Sequence, residues 1–331
     1  MTLGKPERAT QNRVIALLQT LGYAYLGDWS DRTNRAVEPT LLRAWLAKRG
    51  HAAAVIDRAV DLVQREVGQP SLELYDLNRL VYERQRYGVS VKVRADVATE
   101  TIPLVDWADP TANDFAVAEE VTLRLGHERR PDLVLYLNGM VIGVIELKRS
   151  AVTVGEGIRQ LISNHARDFN PGFFAGAHLL MAGNDTEGLR YGTIGTPETM
   201  YLRWKEEGTE TEDGYLLDRH LGRLLAPMRL IDLLRDFVLF DGGVKKLPRP
   251  HQYFGIKAAQ ARVMDLRGGI IWHTQGSGKS IVMVLLAKWI LANRPQARVI
   301  IVTDRDELDK RSRASSRTAA RPSPDPPAGR T

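Results

Sequence analysis

Apolar residues set the period of each stretch of this chain. Val14, Leu17, Leu18 and Leu21 recur at helical spacing through residues 7–26, and Gly22 closes the run. The same spacing predicts helices over 41–48, 52–67 and 72–87. The period then changes: Val89, Val91 and Val93 alternate with polar residues within 89–126, as a strand does. Two apolar runs, Leu133 to Leu137 and Met140 to Leu147, flank Asn138-Gly139, a strong hairpin signal. A helix over 155–169 and a strand over 178–182 follow. Residues 206–214 are acidic and contain glycine, which predicts a loop. Residues 216–240 read as helical, broken near Pro227.

Residues 241–250 hold Gly242-Gly243 and two prolines and read as a linker. Beyond it comes a strand (Ile270, Ile271, Trp272), a glycine-rich loop, a helix over 279–293 and a strand over 299–302. That order is the opening β-α-β of a parallel α/β domain. After Leu308 the chain turns to Arg, Ser, Ala, Pro and Thr without periodicity, which predicts disorder over 310–331. The expected divisions are therefore 1–240, 241–250, 251–309 and 310–331.

Composition narrows the chemistry. The 331 residues are 44% hydrophobic and 26% charged, an ordinary globular balance. There is no cysteine, so disulfides and thiolate metal sites are excluded, and any metal must take oxygen or imidazole ligands, which favours magnesium. The net charge of +6 is misleading, because residues 310–331 carry +5 of it. DNA binding has to be argued from local sites instead. Residues 1–10 are polar, unlike a signal peptide, and the most apolar helix, 281–292, is too short to cross a bilayer and contains Lys288. A cytoplasmic protein with no membrane partner is expected.

The first chemical candidate is Asp132 with Glu146 and Lys148. Metal-assisted phosphodiester cleavage needs two carboxylates converging on a divalent cation and a cationic group near the scissile phosphate. Glu146 and Lys148 are two apart on a strand and share a face. Parity then makes a demand. A strict two-residue turn at Asn138-Gly139 puts Asp132 opposite Ile145, on the wrong face. An odd-length loop or a bulge corrects this, and a three-residue loop with Gly139 left-handed fits. The competing reading is a strand that simply ends in water, yet the apolar run Val141 to Ile145 marks a buried strand. Gln160, on the following helix, could contact DNA or the water around a metal, although a lone helical glutamine is ordinarily a surface residue. Glu7 and Gln11 on the first helix are weaker candidates of the same kind.

The second candidate is Gly276-Ser277-Gly278-Lys279-Ser280, the end of a phosphate-binding loop. Backbone amides there would cradle phosphates, Lys279 would reach the β and γ groups of ATP, and Ser280 would ligate magnesium. His273 stands where the pattern has its first glycine. Upstream, Arg249-Pro250-His251-Gln252-Tyr253 precedes a helix, and the amide of Gln252 suits the edge of adenine; read alone it is only a helix start. Asp306-Glu307-Leu308-Asp309 lacks an immediately preceding apolar strand and reads as acids at a helix start rather than an acidic metal box.

In these residues the chain resembles the restriction (R, HsdR-type) subunit of type I restriction–modification enzymes. The resemblance is carried by Arg13-Val14-Ile15, Leu21-Gly22-Tyr23, Asp106-Trp107, Asn113-Asp114-Phe115 and Arg130-Pro131-Asp132. It continues in Asn138-Gly139, Ile145-Glu146-Leu147-Lys148, Arg190-Tyr191-Gly192-Thr193, Trp272 to Ser280 and Val302-Thr303-Asp304-Arg305. It implies an α/β architecture: a RecB-like PD-(D/E)xK nuclease domain followed by the first part of a RecA-like, superfamily-2 helicase domain. It implies Asp132, Glu146 and Lys148 as the nuclease triad, ATP and magnesium as cofactors, and double-stranded DNA and methylation (M) and specificity (S) subunits as partners. The activity implied is ATP-dependent cleavage of unmethylated foreign DNA. Gln160 falls in a Gln-x-x-x-Tyr element of the family, but Asn164 takes the tyrosine position. The family's acidic box and second motor lobe have no counterpart here, and the tail resembles out-of-frame translation. The alternative expectation is a non-translocating remnant that binds or nicks DNA without hydrolysing ATP.

Overall fold

The computed structural model describes residues 5–69, 71–92, 96, 98–124, 127–167, 169–206 and 214–302. The readings made for Val93, for most of 206–214 and for everything after Val302 lie outside the described residues. The chain divides into two compact units, Met1–Val238 and Leu239–Thr331.

The first unit is a mixed α/β structure on a seven-stranded sheet. Its strands are β1 (Ala24–Asp28), β4 (Phe115–Glu119), β5 (Leu133–Leu137), β6 (Met140–Leu147), β7 (Leu179–Asn184), β8 (Gly188–Gly192) and β9 (Leu202–Arg203), in that spatial order. A separate hairpin joins β2 (Val89–Val91) to β3 (Glu100–Ile102). β1 and β4 pair in parallel, as do β6 and β7; the other neighbours are antiparallel. The helices are α1 (Lys5–Thr20), α2 (Pro39–Lys48), α3 (Ala53–Val67), α4 (Leu74–Tyr87), α5 (Val154–Asn164), α6 (Leu216–Leu224) and α7 (Pro227–Asp236). Pro227 occupies the first turn of α7, where its missing N–H costs nothing.

β5 and β6 are buried along their whole length, because elements pack on both faces of the sheet. One core cluster joins Val134, Tyr136, Val141 and Val144 to Ile158 and Leu161 of α5 and to Phe173 and Phe174. α4 is anchored by Asn78, whose amide donates to the carbonyls of Phe174, Ala175 and Ala177.

The second unit contains a short hairpin, β10 (Leu239–Asp241) and β11 (Val244–Lys246), and helices α8 (Pro250–Met264) and α9 (Lys279–Asn293). The stretch read as a linker thus includes half of this hairpin, with Gly242 and Gly243 at its turn. The strands expected at 270–272 and 299–302 do not form; both segments are irregular. Ile270, Trp272, Ile300 and Val302 are each at least 85% exposed. A strand needs a hydrogen-bonded neighbour to persist, and among the described residues neither segment has one.

Candidate functional site

The hairpin that carries the carboxylates meets the parity demand by an unexpected route. Asn138 and Gly139 both have positive φ, 52° and 81°, and Leu137 pairs with Met140. That is a two-residue type I′ turn, not the three-residue loop. Gly139 is required there twice over: its φ is left-handed, and a β-carbon would come within 2.7 Å of Leu41. The parity is corrected further up, where Tyr136 pairs with Val141 but Leu135 with Gly143. Ile142 is therefore the extra residue of a bulge. Leu133 then faces Ile145, so the next pair in the register is Asp132 and Glu146.

The bulge has a long-range cause. At its start β6 bonds outward to the segment before α2: Glu38 N–H donates to Gly139 O (2.8 Å) and Val141 N–H to Ala36 O (2.9 Å). From Ile142 on, its partner is β7, beginning with His178 N–H donating to Ile142 O at 2.8 Å. The strand changes partners where the extra residue sits.

Asp132, half-buried, lies against the fully buried Glu146. Leu147 N–H donates to Asp132 Oδ2 (2.6 Å), Asn164 Nδ2 donates to Glu146 Oε1 (3.2 Å), and Lys148 Nζ is 3.6 Å from Glu146 Oε2. Burial is the main cause that pushes the Asp132 carboxyl up to about 6. Burial again comes first for Glu146, followed by the neighbouring Asp132, and holds it well above the usual carboxylate range. Glu146 Oε2 is fully buried and accepts no hydrogen bond. Lys148 Nζ also donates to Gln160 Oε1 at 2.9 Å, which brings the helical glutamine beside Lys148.

Helix α5 is pressed onto this corner through Gly157. A β-carbon there would lie 3.0 Å from Ala182 Cβ and 3.6 Å from Glu146 Cβ. The site opens into a cleft of about 780 Å³ whose lining includes Glu7, Lys148, Arg149 and Gln160. Gln11 stands behind it, donating to Glu119 Oε2 (2.9 Å), Glu120 Oε1 (3.2 Å) and the carbonyl of Asp132 (3.4 Å). Asn164 is the residue whose contribution the sequence obscured. It is wholly buried and bonded to Glu146.

An orphaned, buried carboxylate oxygen beside a second carboxyl suits a hard cation. Among the described residues no group of three or more His, Asp or Glu side chains is placed to hold a metal. Two carboxylates remain within what magnesium uses, since it keeps water and phosphate oxygens as its other ligands.

In the second unit the glycine-rich loop leads into α9. Gly276 and Gly278 have φ of 76° and 82°, and Lys279 Nζ donates to the carbonyls of His273 (3.1 Å) and Thr274 (3.3 Å). Ser280 lies in the first turn of α9. Gln252 does not offer its amide to solvent. Its Oε1 accepts from Arg249 N–H (2.8 Å) and its Nε2 donates to Ser277 O (2.9 Å), so it braces the loop from beneath. Both ends that would read adenine are engaged. No helix among the described residues is long and apolar enough to cross a membrane.

The family follows from comparison. Residues 5–199 match the model of the type I restriction enzyme R protein N terminus, and residues 251–327 match that of the SWI2/SNF2 ATPase. The chain belongs to the type I restriction enzyme R protein family. It is similar to the HindI type I restriction enzyme endonuclease subunit of Haemophilus influenzae, 29% identical over 281 residues, 76% of this chain and 26% of that protein. It is also similar to two putative endonuclease subunits of Methanocaldococcus jannaschii. MjaIXP is 26% identical over 70% of this chain and 26% of its own length, and MjaVIIIP 25% over 92% and 31%. The matched region spans about a quarter to a third of these relatives.

Proposed function

We propose that residues 1–240 are a RecB-like PD-(D/E)xK endonuclease domain and that 251–309 begin a RecA-like ATP-binding domain. Together they would be the N-terminal part of a type I restriction subunit that cleaves double-stranded DNA with M and S subunits. The observation that carries this reading is the Asp132–Glu146 pair. A fully buried carboxyl with an orphaned oxygen and a half-buried second carboxyl are held beside a lysine at the end of a buried strand.

Asp132 and Glu146 would hold magnesium, which supplies Lewis acidity and charge neutralisation at the scissile phosphate. Both carboxyls hold protons more tightly than usual, so they must release them as they take up the cation. Lys148 brings positive charge to the developing phosphorane charge, and Gln160 fixes the direction of its ammonium. Asn164 holds one oxygen of Glu146, leaving the other for the cation. In the second unit, Gly276, Ser277 and Gly278 would present backbone amides to ATP phosphates, with Lys279 and Ser280 at the γ-phosphate and magnesium. Lys279 would first leave the two carbonyls it now caps. Gln252 serves this site by bracing Ser277 rather than by reading the base.

One observation favours the second reading, DNA binding or nicking without ATP hydrolysis. Among the described residues the glycine-rich loop has no paired strand before it and none after α9. Incubating the full chain with supercoiled plasmid and magnesium, with and without ATP, tests both. Nicking that Asp132→Ala abolishes is the expected result. Cleavage equal in the two proteins removes the Asp132–Glu146 site from the reaction, and nicking indifferent to ATP selects the second reading.

A further inference from the structure

The register of the sheet places two arginines in line with the carboxylates. Glu146 pairs with Ala182 across β6 and β7, Ala182 with Arg190 across β7 and β8, and Arg190 with Arg203 across β8 and β9. Directly paired residues share a face of a sheet, so Glu146, Ala182, Arg190 and Arg203 form one lateral row. At a strand spacing of about 4.8 Å, Arg190 is rooted about 10 Å and Arg203 about 14 Å from Glu146. Gly157 of α5 closes over Ala182 in the middle of the row. The carboxylates therefore open on one side of α5, and the arginines stand at the β9 edge of the sheet.

Like charges directly opposite one another on paired strands are destabilising, and nothing among the described residues neutralises this pair. Neither Arg190 nor Arg203 has a carboxylate within ion-pair distance there, whereas nearby arginines do: Arg159 is paired with Glu156 and Glu198, and Arg229 with Glu206. The acid that Arg190 feels, Glu187, already accepts from Val154 N–H (2.9 Å) and Asn184 Nδ2 (3.5 Å). His220 takes Leu189 N–H on its Nδ1 (3.1 Å) and is kept neutral, its imidazole pushed down to about 4 by burial and then by Arg203, Arg219, Arg223 and Arg190. Arg190 itself is lowered by burial and by Arg203.

We propose that Arg190 and Arg203 form a phosphate clamp that grips the DNA backbone a few nucleotides from the bond placed at Asp132 and Glu146. This rests on the nuclease reading for the position of the cut, but not for the binding itself. The clamp contacts backbone and not bases, so it gives affinity without sequence preference. It also assigns a task to Arg190-Tyr191-Gly192-Thr193, a motif the carboxylate site leaves unused.

The test is fluorescence polarisation of a labelled 30-base-pair duplex with the full chain, without divalent cation, across a range of salt. Arg190→Gln with Arg203→Gln is expected to weaken binding tenfold or more near physiological salt and to flatten the log–log salt dependence by about two charges. The same variant should melt no lower than the parent, because a repulsion has been removed. Arg190→Lys with Arg203→Lys should keep most of the salt slope and shows that any loss follows charge and not folding. Unchanged affinity and slope in the folded glutamine variant overturn the clamp. So does the outcome in which that variant merely self-associates in sedimentation, since the arginines would then only guard an edge strand. Loss of DNA binding in the glutamine variant, with no magnesium-dependent nicking by the parent, upholds the clamp and sinks the nuclease reading instead.

Discussion

Glu146 has no solvent exposure, and one of its oxygens is without a hydrogen-bond partner. A carboxylate in that setting is a burden to the folded state unless it is protonated or bound to a cation. Its pKa is raised on folding, and that of Asp132 is raised to about 6. Between the unfolded value near 4 and the folded value, the native protein therefore holds more protons than the unfolded chain. Stability from these groups is complete at low pH and is lost as pH rises through about 6 and beyond. Two outcomes follow. The melting temperature of the cation-free protein should gain, in Glu146→Gln at pH 8, the equivalent of about 1–3 kcal/mol, with little gain at pH 4.5. Magnesium should raise the melting temperature of the parent at pH 8 and leave that of Glu146→Gln unmoved. A variant that melts lower than the parent at pH 8 would show that Glu146 is a structural acid and not a site held ready. Sequence alone supplied Asp132, Glu146, Lys148 and Gln160. It did not supply the part played by Asn164, because that rests on a contact between α5 and β6.

At the scale of elements, what the sequence disclosed was a condition rather than a solution. Side-chain parity demanded that the hairpin contain one extra residue if Asp132 was to meet Glu146. The loop was the nearest place to look, because turn residues are local signals. The extra residue is instead Ile142, where β6 exchanges the segment around Ala36 and Val37 for β7. No window of sequence around 138 contains that information. The turn itself is strongly specified: the Asn138 side chain accepts from Asp114 N–H (2.8 Å) and donates to Leu104 O (2.9 Å) and Asn113 Oδ1 (2.9 Å). Helix α5 depends equally on a residue that attracts no notice in the sequence. Gly157→Val should force the helix off β6 and β7, lowering stability by about 1–3 kcal/mol as overpacking does. It should also reduce nicking more than unfolding explains, because Gln160 and Asn164 ride on the same helix. Thermal unfolding beside plasmid nicking at a temperature where the variant is fully folded checks this. Full activity there would mean that α5 does not set the geometry of Lys148 and Glu146.

The two units differ in how completely their apolar residues find cover. In the first, helices and both sheet faces enclose a continuous core; hydrophobic period disclosed its main helices, the 133–147 hairpin and the strand at 178–182, but not β1, β4, β8 or β9. In the second, period indicated strands at 270–272 and 299–302, and the apolar residues are there, but the neighbours that make a strand are not among the described residues. Periodicity reports which residues would be buried in a sheet, not whether a sheet is available to bury them. The consequence is unequal resistance to unfolding. Leu266, Ile270, Trp272, Ile300 and Val302 are all 85% exposed or more, and segments with few buried contacts open at low free energy. Brief thermolysin digestion of the native chain should therefore cut first within 266–302, leaving a fragment close to the first unit that persists at least tenfold longer. Acrylamide should quench Trp272 readily, while Trp45 and Trp204, at 1% and 0% exposure, stay shielded. Single-tryptophan variants separate these signals. Slow, synchronous loss of both units, with Trp272 shielded, would mean that the second unit buries its apolar segments in solution by an arrangement other than the one described. The glycine-rich loop would then have the sheet it lacks here, and the ATP-coupled reading would gain over the ATP-independent one.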